Sequence, residues 1–150
     1  MPDTFSTAIQ INASPAEVWA ALTNPERMTQ WMGEPEMNIN VLSNWQVNTP
    51  VIIRGFHHVA FENKGVVLQN DNEKTLRYTQ LSSVSRLPDK PENYSIFEFS
   101  LTPIDEQTLL TLHIEGFPTE TIRKHLEFYW KTTMTLLQAS VEAINVSDAA

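Results

Sequence analysis

The sequence predicts an α+β domain, with an antiparallel sheet of about six or seven strands curved around one long C-terminal helix. Three observations predict it. Residues Tyr94 to Thr102 and Thr108 to Glu115 alternate apolar and polar side chains, the period of half-buried strands. Ser14-Pro15-Ala16-Glu17 and Asn24-Pro25-Glu26 are two helix starts, one directly after the other. From Thr119 the apolar spacing changes to three- and four-residue steps, and no Gly or Pro interrupts it up to Val146.

The elements follow in order. Thr4 to Ile11 places Phe5, Ile9 and Ile11 in phase, a half-buried strand. Ser14 can accept from the backbone of Glu17 while Glu17 reaches back, a capping box. Pro15 stands at the first helical position, where its missing N–H costs nothing. Val18, Trp19 and Leu22 give this helix an apolar stripe, and the Asn24 start leads to Met28, Trp31 and Met32 before Gly33 and Pro35 end it. Short strands are then expected at Met37–Val41, Val51–Phe56, Val59–Glu62, Val66–Gln69 and Leu76–Leu81, bounded by Asn, Asp, Gly or Pro.

Phe97, Phe99 and Leu101 share one face of the next strand, and Leu110, Leu112 and Ile114 share one face of the last, with Asp105-Glu106 turning between them. Gly116-Phe117-Pro118 stops the strand series. The final helix carries Ile122, Leu126, Trp130, Met134, Leu137, Val141 and Ile144 on one stripe and spans roughly 40 Å, so it must lie across the molecule. Ser147 to Ala150 is expected to fray. With strands grouped between helices and no repeat or linker, residues 1–150 read as one domain.

Composition narrows the function. The chain has 150 residues, a net charge of −8 and no cysteine, which excludes disulfides, thiolate catalysis and iron–sulfur clusters. The basic residues are scattered singly, as at Arg27, Arg54, Lys64, Lys74 and Arg77, so neither nucleic acid nor an anionic membrane surface is an expected partner. No apolar run is long enough to insert into a membrane. No basic region followed by an apolar core opens the chain, and a cytoplasmic location is expected. The sequence leaves monomer and homodimer open.

No catalytic residue, metal site or cofactor is expected. His57 and His58 are adjacent, and neighbours on a strand face opposite ways. His113 and Glu115 share a face, but two ligands fall short of a site. No P-loop, dinucleotide fingerprint or nucleophile elbow occurs. Arg54 lies in the apolar run Val51 to Phe56. It either snorkels to water from an edge or anchors a ligand carboxylate or phosphate.

The aromatic residues carry more information. Trp31, Trp45, Tyr78, Phe97, Phe99 and Trp130 fall on elements that should face one another, whereas Trp19 and Phe5 read as ordinary core. Together with Leu112, Leu126, Met134 and Arg54, they are the expected lining of a space between sheet and helix. Aromatics and methionine suit an apolar site because both offer large, polarisable contact surface.

The segment Ile11 to Glu26, Ile-Asn-Ala-Ser-Pro-Ala-Glu-Val-Trp-Ala-Ala-Leu-Thr-Asn-Pro-Glu, followed by Gln30-Trp31-Met32, resembles the SRPBCC (START/Bet v 1-like) superfamily. Within it the chain is similar to the branch named for the activator of Hsp90 ATPase (AHSA1-like), of the bacterial single-domain type. Gly65-Val66-Val67-Leu68, Leu76-Arg77-Tyr78-Thr79, Leu109-Leu110-Thr111-Leu112, and Trp130 with Leu136-Leu137 continue the likeness. So do Pro50 to Gly55 and Leu87 to Tyr94, and the whole spans about Thr7 to Ala143. The resemblance implies the helix-grip fold with a hydrophobic cavity. It supplies no catalytic motif to carry over, and the expected partner is a small apolar molecule held in that cavity by a non-catalytic carrier or sensor. The alternatives it leaves are a co-chaperone-like interaction module, and a cavity enzyme of the polyketide cyclase/dehydratase type.

Overall fold

The computed structural model describes residues 4–149, and the side chains of 4–143. The first strand, β1 (Thr4–Ile11), leads into α1 (Pro15–Thr23) and α2 (Pro25–Trp31). The anticipated capping box is present, because Ser14 Oγ accepts from the Glu17 N–H at 3.3 Å and a Glu17 carboxylate oxygen accepts from the Ser14 N–H at 3.2 Å. Asn24 caps α2 through its side-chain oxygen, which accepts from the Glu26 N–H at 2.9 Å. These helices carry the chain from one edge of the sheet to the other. There β2 (Asn40–Leu42) begins a run of antiparallel neighbours: β3 (Pro50–His57), β4 (Val59–Asp71), β5 (Thr75–Ser82), β6 (Ser95–Ile104) and β7 (Gln107–Glu115). The sheet order is β1-β7-β6-β5-β4-β3-β2, all antiparallel, so β1 closes onto the last strand made. The final helix, α3 (Glu120–Ala149), starts from Thr119, whose hydroxyl accepts from the Ile122 N–H at 3.1 Å.

Three expectations needed correction. The strand expected at Met37–Val41 begins only at Asn40 and runs to Leu42. Pro35–Met37 is a single 3₁₀ turn, and Asn38 takes a left-handed backbone (φ 49°), so pairing starts only at Asn40. Val59–Glu62 and Val66–Gln69 are parts of one 13-residue strand, β4, with a bulge between Val67 and Gln69. The Asn63-Lys64-Gly65 stretch between them marks a close approach rather than a break. A Cβ on Gly65 would stand 1.7 Å from the Thr79 carbonyl oxygen on β5. The backbone of α3 continues to Ala149, through most of the tail expected to fray; Ala150 lies outside the described residues, as do the side chains of Ile144 and Val146.

The inner face of the sheet is the one the alternation foretold. Phe97, Phe99 and Leu101 on β6, Leu110, Leu112 and Ile114 on β7, and Leu76 and Tyr78 on β5 are all buried. From α3, Leu126, Trp130, Met134, Leu137 and Val141 face them. The helix is seated at its far end by hydrogen bonds to β1, where Gln138 Nε2 donates to the Gln10 carbonyl at 2.9 Å and the Asn12 N–H donates to Glu142 at 2.8 Å. Nearer its start, Tyr129 Oη donates to the Met32 carbonyl at 2.6 Å. The closest backbone approaches of α3 are thus to β1, α1 and α2. The β3–β5 side of the sheet stays farther off, and large side chains bridge the interval.

Candidate functional site

Those bridging side chains form one connected aromatic cluster. Trp31 of α2 meets Trp130 of α3 with ring centroids 6.2 Å apart. Trp130 stands edge-on to Phe97 and Phe99 of β6, at 5.9 and 5.6 Å. Phe97 stacks on Tyr78 of β5 at 5.4 Å with the planes 8° apart, and Tyr78 meets Trp45 at 5.5 Å. The chain of rings therefore runs from the short helices, past α3, over the sheet, and ends at the loop between β2 and β3. Leu112, Leu126 and Met134 are buried in the same cluster. Of the ten residues expected at the site, six are linked ring to ring, and Leu112, Leu126 and Met134 are buried in the same core.

Arg54 is the exception. It shares the parity of Ile52 and Phe56, opposite to the buried Val51 and Ile53, and its side chain is half exposed. Its guanidinium lies 3.7 Å from Glu62 on the neighbouring strand. Strand parity sends it to the outer face, away from the rings, so it is not available there as a ligand anchor. His58 is not on a strand. It occupies the β3–β4 turn with a left-handed backbone (φ 64°), exposed, with its ring 4.5 Å from that of His57. His113 lies on the outer face beside Ser6, with Nδ1 2.7 Å from the hydroxyl. Among the described residues no three His, Asp or Glu side chains gather as metal ligands.

Trp45 is the residue whose circumstances sequence reading did not reach. Its backbone is left-handed (φ 59°), which costs a residue with a Cβ about 1–2 kcal/mol. Local bonds hold it there. The Trp45 N–H donates to Ser43 Oγ at 3.0 Å, and Asn70 Nδ2 of β4 donates to the Trp45 carbonyl at 2.8 Å. The loop is further pinned by the Asn48 N–H, which donates to the Val67 carbonyl at 2.9 Å. The ring is only 4% exposed, yet its Nε1–H has no partner. Leaving such a donor unmet costs about 1–3 kcal/mol. By contrast, the indole N–H of Trp31 is used, donating to the Ala21 carbonyl at 3.0 Å. The Ser43-Asn44 and Asn48 turn residues were the available signal for a held loop.

Tyr78 adds a second polar group. It is 2% exposed, and burial pushes its phenol well above the ordinary tyrosine value. No hydrogen bond ties its hydroxyl to the described residues. The Tyr129 phenol is likewise pushed up by burial, to about 12. The buried polar side chains of the described interior are Ser95, Thr108 and Thr133; no charged residue is among them. Ser95 and Thr108 serve the backbone, donating to the Gly116 and Ala13 carbonyls at 3.2 and 2.8 Å.

Two surface depressions lie apart from the cluster. A notch of about 670 Å³ is bordered by Gln10, Asn12 and the β6–β7 turn. A groove of about 470 Å³ on the outer face is bordered by Ile52, Val66, Thr79 and Ile96, with Lys64, Asp89 and Tyr94 at its rim. There Lys64 Nζ is 2.7 Å from Asp89, and Tyr94 Oη donates to the same carboxylate at 2.7 Å.

Comparison with known proteins agrees with this geometry. The family described as "Activator of Hsp90 ATPase homolog 1-like protein" matches residues 12–142. A protein from Chromobacterium violaceum of known structure superimposes with a TM-score of 0.82 at 21% identity, covering 95% of this chain and 99% of the other. One from Cytophaga hutchinsonii does so with a TM-score of 0.72 at 28% identity over the full length of both chains. DynU16, a protein of the dynemicin biosynthetic locus, gives 0.74 at 19% identity, covering 95% of this chain and 48% of its own. Comparison with curated proteins finds no sequence match.

Proposed function

We propose, on the premise that the chain belongs to the Activator of Hsp90 ATPase homolog 1-like family, that it binds a small apolar molecule between the sheet and α3, as a carrier or sensor without turnover. One observation carries this reading. The helix keeps its close backbone contacts to one side of the sheet, and the interval on the other side is occupied by a continuous series of aromatic rings ending at a surface loop. A guest with an aromatic or polarisable body replaces ring–ring contacts with equivalent ones. Entry past Trp45 requires the loop of residues 43–49 to yield, with release of the bonds that hold it to Asn70 and Val67. That loop already holds two left-handed residues, Trp45 and Asn48.

The test is thermal unfolding in the presence of apolar compounds, with native mass spectrometry of gently purified protein. A ligand at a hundred times its dissociation constant stabilises by about 2.7 kcal/mol, which raises the melting temperature by roughly 5–10 °C for a chain of this size. Arg54→Ala, on the outer face, is expected to leave that shift intact. No shift with lipids, sterols, aromatic ketones or polyketide fragments, and no co-purified mass, would end the reading.

A second reading, an interaction module, has its own observation. Phe128 and Leu136, two turns apart on the outer side of α3, are 79% and 46% exposed. Phe128→Ser with Leu136→Ser would abolish capture of a protein partner under that reading and leave ligand-induced melting shifts untouched under the first.

A further inference from the structure

We propose that the indole N–H of Trp45 and the hydroxyl of Tyr78 form the polar end of the interior site, and that they select an apolar ligand carrying a neutral hydrogen-bond acceptor, a carbonyl oxygen in a largely aromatic body. The inference rests on the ligand-binding reading above and specifies what that ligand is.

The two groups are adjacent, with ring centroids 5.5 Å apart, and both are more than nine-tenths buried. Among the described residues neither makes a hydrogen bond, and the Trp45 donor is fully shielded as well. Native interiors rarely leave a donor unmet, so an unpaired one marks a place where something else completes the bond. Trp45 is more than a packing accident. Its backbone is held in an unfavourable conformation by Ser43 and Asn70, which fixes where the indole points.

The chemistry of the missing partner follows from what each group can do. An indole N–H only donates. A buried phenol whose ionisation is suppressed remains an O–H, and with no acceptor in reach it too is a donor. Two donors with no acceptor call for an oxygen with two lone pairs, which a carbonyl supplies. The charge of that oxygen is set by its surroundings. No charged side chain is among the buried residues, and Arg54 lies on the outer face. Arg27 of α2 has Nε and Nη2 shielded and unpaired, but no cation contributes to the perturbation of the Tyr78 phenol. A carboxylate placed against Tyr78 would therefore be a buried, uncompensated charge. The remaining walls, Phe97, Phe99 and Trp130, are aromatic faces and edges suited to a flat, conjugated body.

The experiment compares three probes of one shape: 2-acetylnaphthalene, 2-isopropylnaphthalene and 2-naphthoate at pH 8, titrated by tryptophan fluorescence and calorimetry. The ketone is expected to bind about tenfold more tightly than the hydrocarbon, the gain typical of one to two hydrogen bonds made in a dry site, and the naphthoate more weakly than either. Tyr78→Phe keeps the ring and removes the donor, whereas Trp45→Phe removes the donor together with part of the ring. Each should erase most of the ketone's advantage over the hydrocarbon, the quantity read being the ratio of the two affinities within each variant. In ¹⁵N-labelled protein the Trp45 indole resonance should move with the ketone and not with the hydrocarbon. Equal affinity for ketone and hydrocarbon, or a ketone preference that survives both variants, overturns the inference and leaves the ligand-binding reading standing. Tightest binding of the naphthoate overturns it in favour of a cation such as Arg27. Failure of all three probes to bind counts against the ligand-binding reading itself.

Discussion

Replacing Trp130 by alanine tests the packing on which the site depends. Trp130 is 3% exposed and meets four rings: Trp31 at 6.2 Å, Phe97 at 5.9 Å, Phe99 at 5.6 Å and Tyr129 at 5.2 Å. A buried tryptophan removes about 150–250 Å² from water. At about 25 cal/mol per Å² that is worth roughly 4–6 kcal/mol, of which alanine keeps a small part. Lost ring pairing and an unfilled void add to the cost, and relaxation of the neighbours subtracts from it. The expected loss is about 3–5 kcal/mol, the range found for large aromatic truncations in cores. Urea unfolding followed by far-ultraviolet circular dichroism measures it, with an unchanged denaturant slope confirming that both states keep their extent. Against a total stability of about 5–15 kcal/mol, the variant should remain folded but marginal. A loss below about 1 kcal/mol would mean that α3 does not rest on β6 through this ring, and the interior described above would be wrong.

Two other outcomes follow from single features. Gly65→Ala should destabilise by more than about 3 kcal/mol in the same assay, because the added methyl would meet the backbone of β5 rather than a movable side chain; a loss under about 1 kcal/mol would show that β4 does not pass this close to Thr79. Tyr78, Tyr94 and Tyr129 are the chain's three tyrosines, and burial is the leading cause of a raised phenol pKa at each. Their folded values lie above the unfolded one, so the stability they contribute is complete below pH 10 and declines as pH rises beyond it. Absorbance at 295 nm should therefore show little tyrosinate at pH 10 in native protein and a full three-residue signal once base unfolds it. An ordinary titration centred at pH 10 would contradict the burial.

The sequence was legible where one local rule acted alone. Ser14 and Glu17 could be paired three residues apart because a capping box is local, and it is present. The alternation of β6 and β7 settled which face is inside. It did not do so for Arg54: either face of the apolar run Val51 to Phe56 could have been the inner one, and the structure buries Val51 and Ile53, which turns Arg54 outward. Only the choice of register left that arginine open. Legibility ended where meaning depended on a distant neighbour. Gly65 reads as punctuation in sequence, and only the Thr79 backbone opposite it explains its identity. Asn38, one residue after a 3₁₀ turn opened by Pro35, shortened β2 through a left-handed backbone that asparagine tolerates. Trp45 could be named as a site residue from its aromaticity. That its N–H is left without a partner is a property of everything around it.

The strand order has a consequence for how the molecule is made. From β2 to β7 every pairing joins consecutive strands, so each can zip as soon as its second partner exists. The first strand is different, since residues 4–11 pair with residues 108–115 and close a loop of roughly a hundred residues, an entropic cost of about 4 kcal/mol. During synthesis β1 must wait, with its apolar face uncovered, until β7 has emerged. Substitutions such as Ile9→Val, in that waiting segment, should accordingly speed unfolding while barely changing the refolding rate in a stopped-flow measurement. β1 is then the strand that completes the sheet last, and until β7 exists the growing chain can form only the β2–β7 meander.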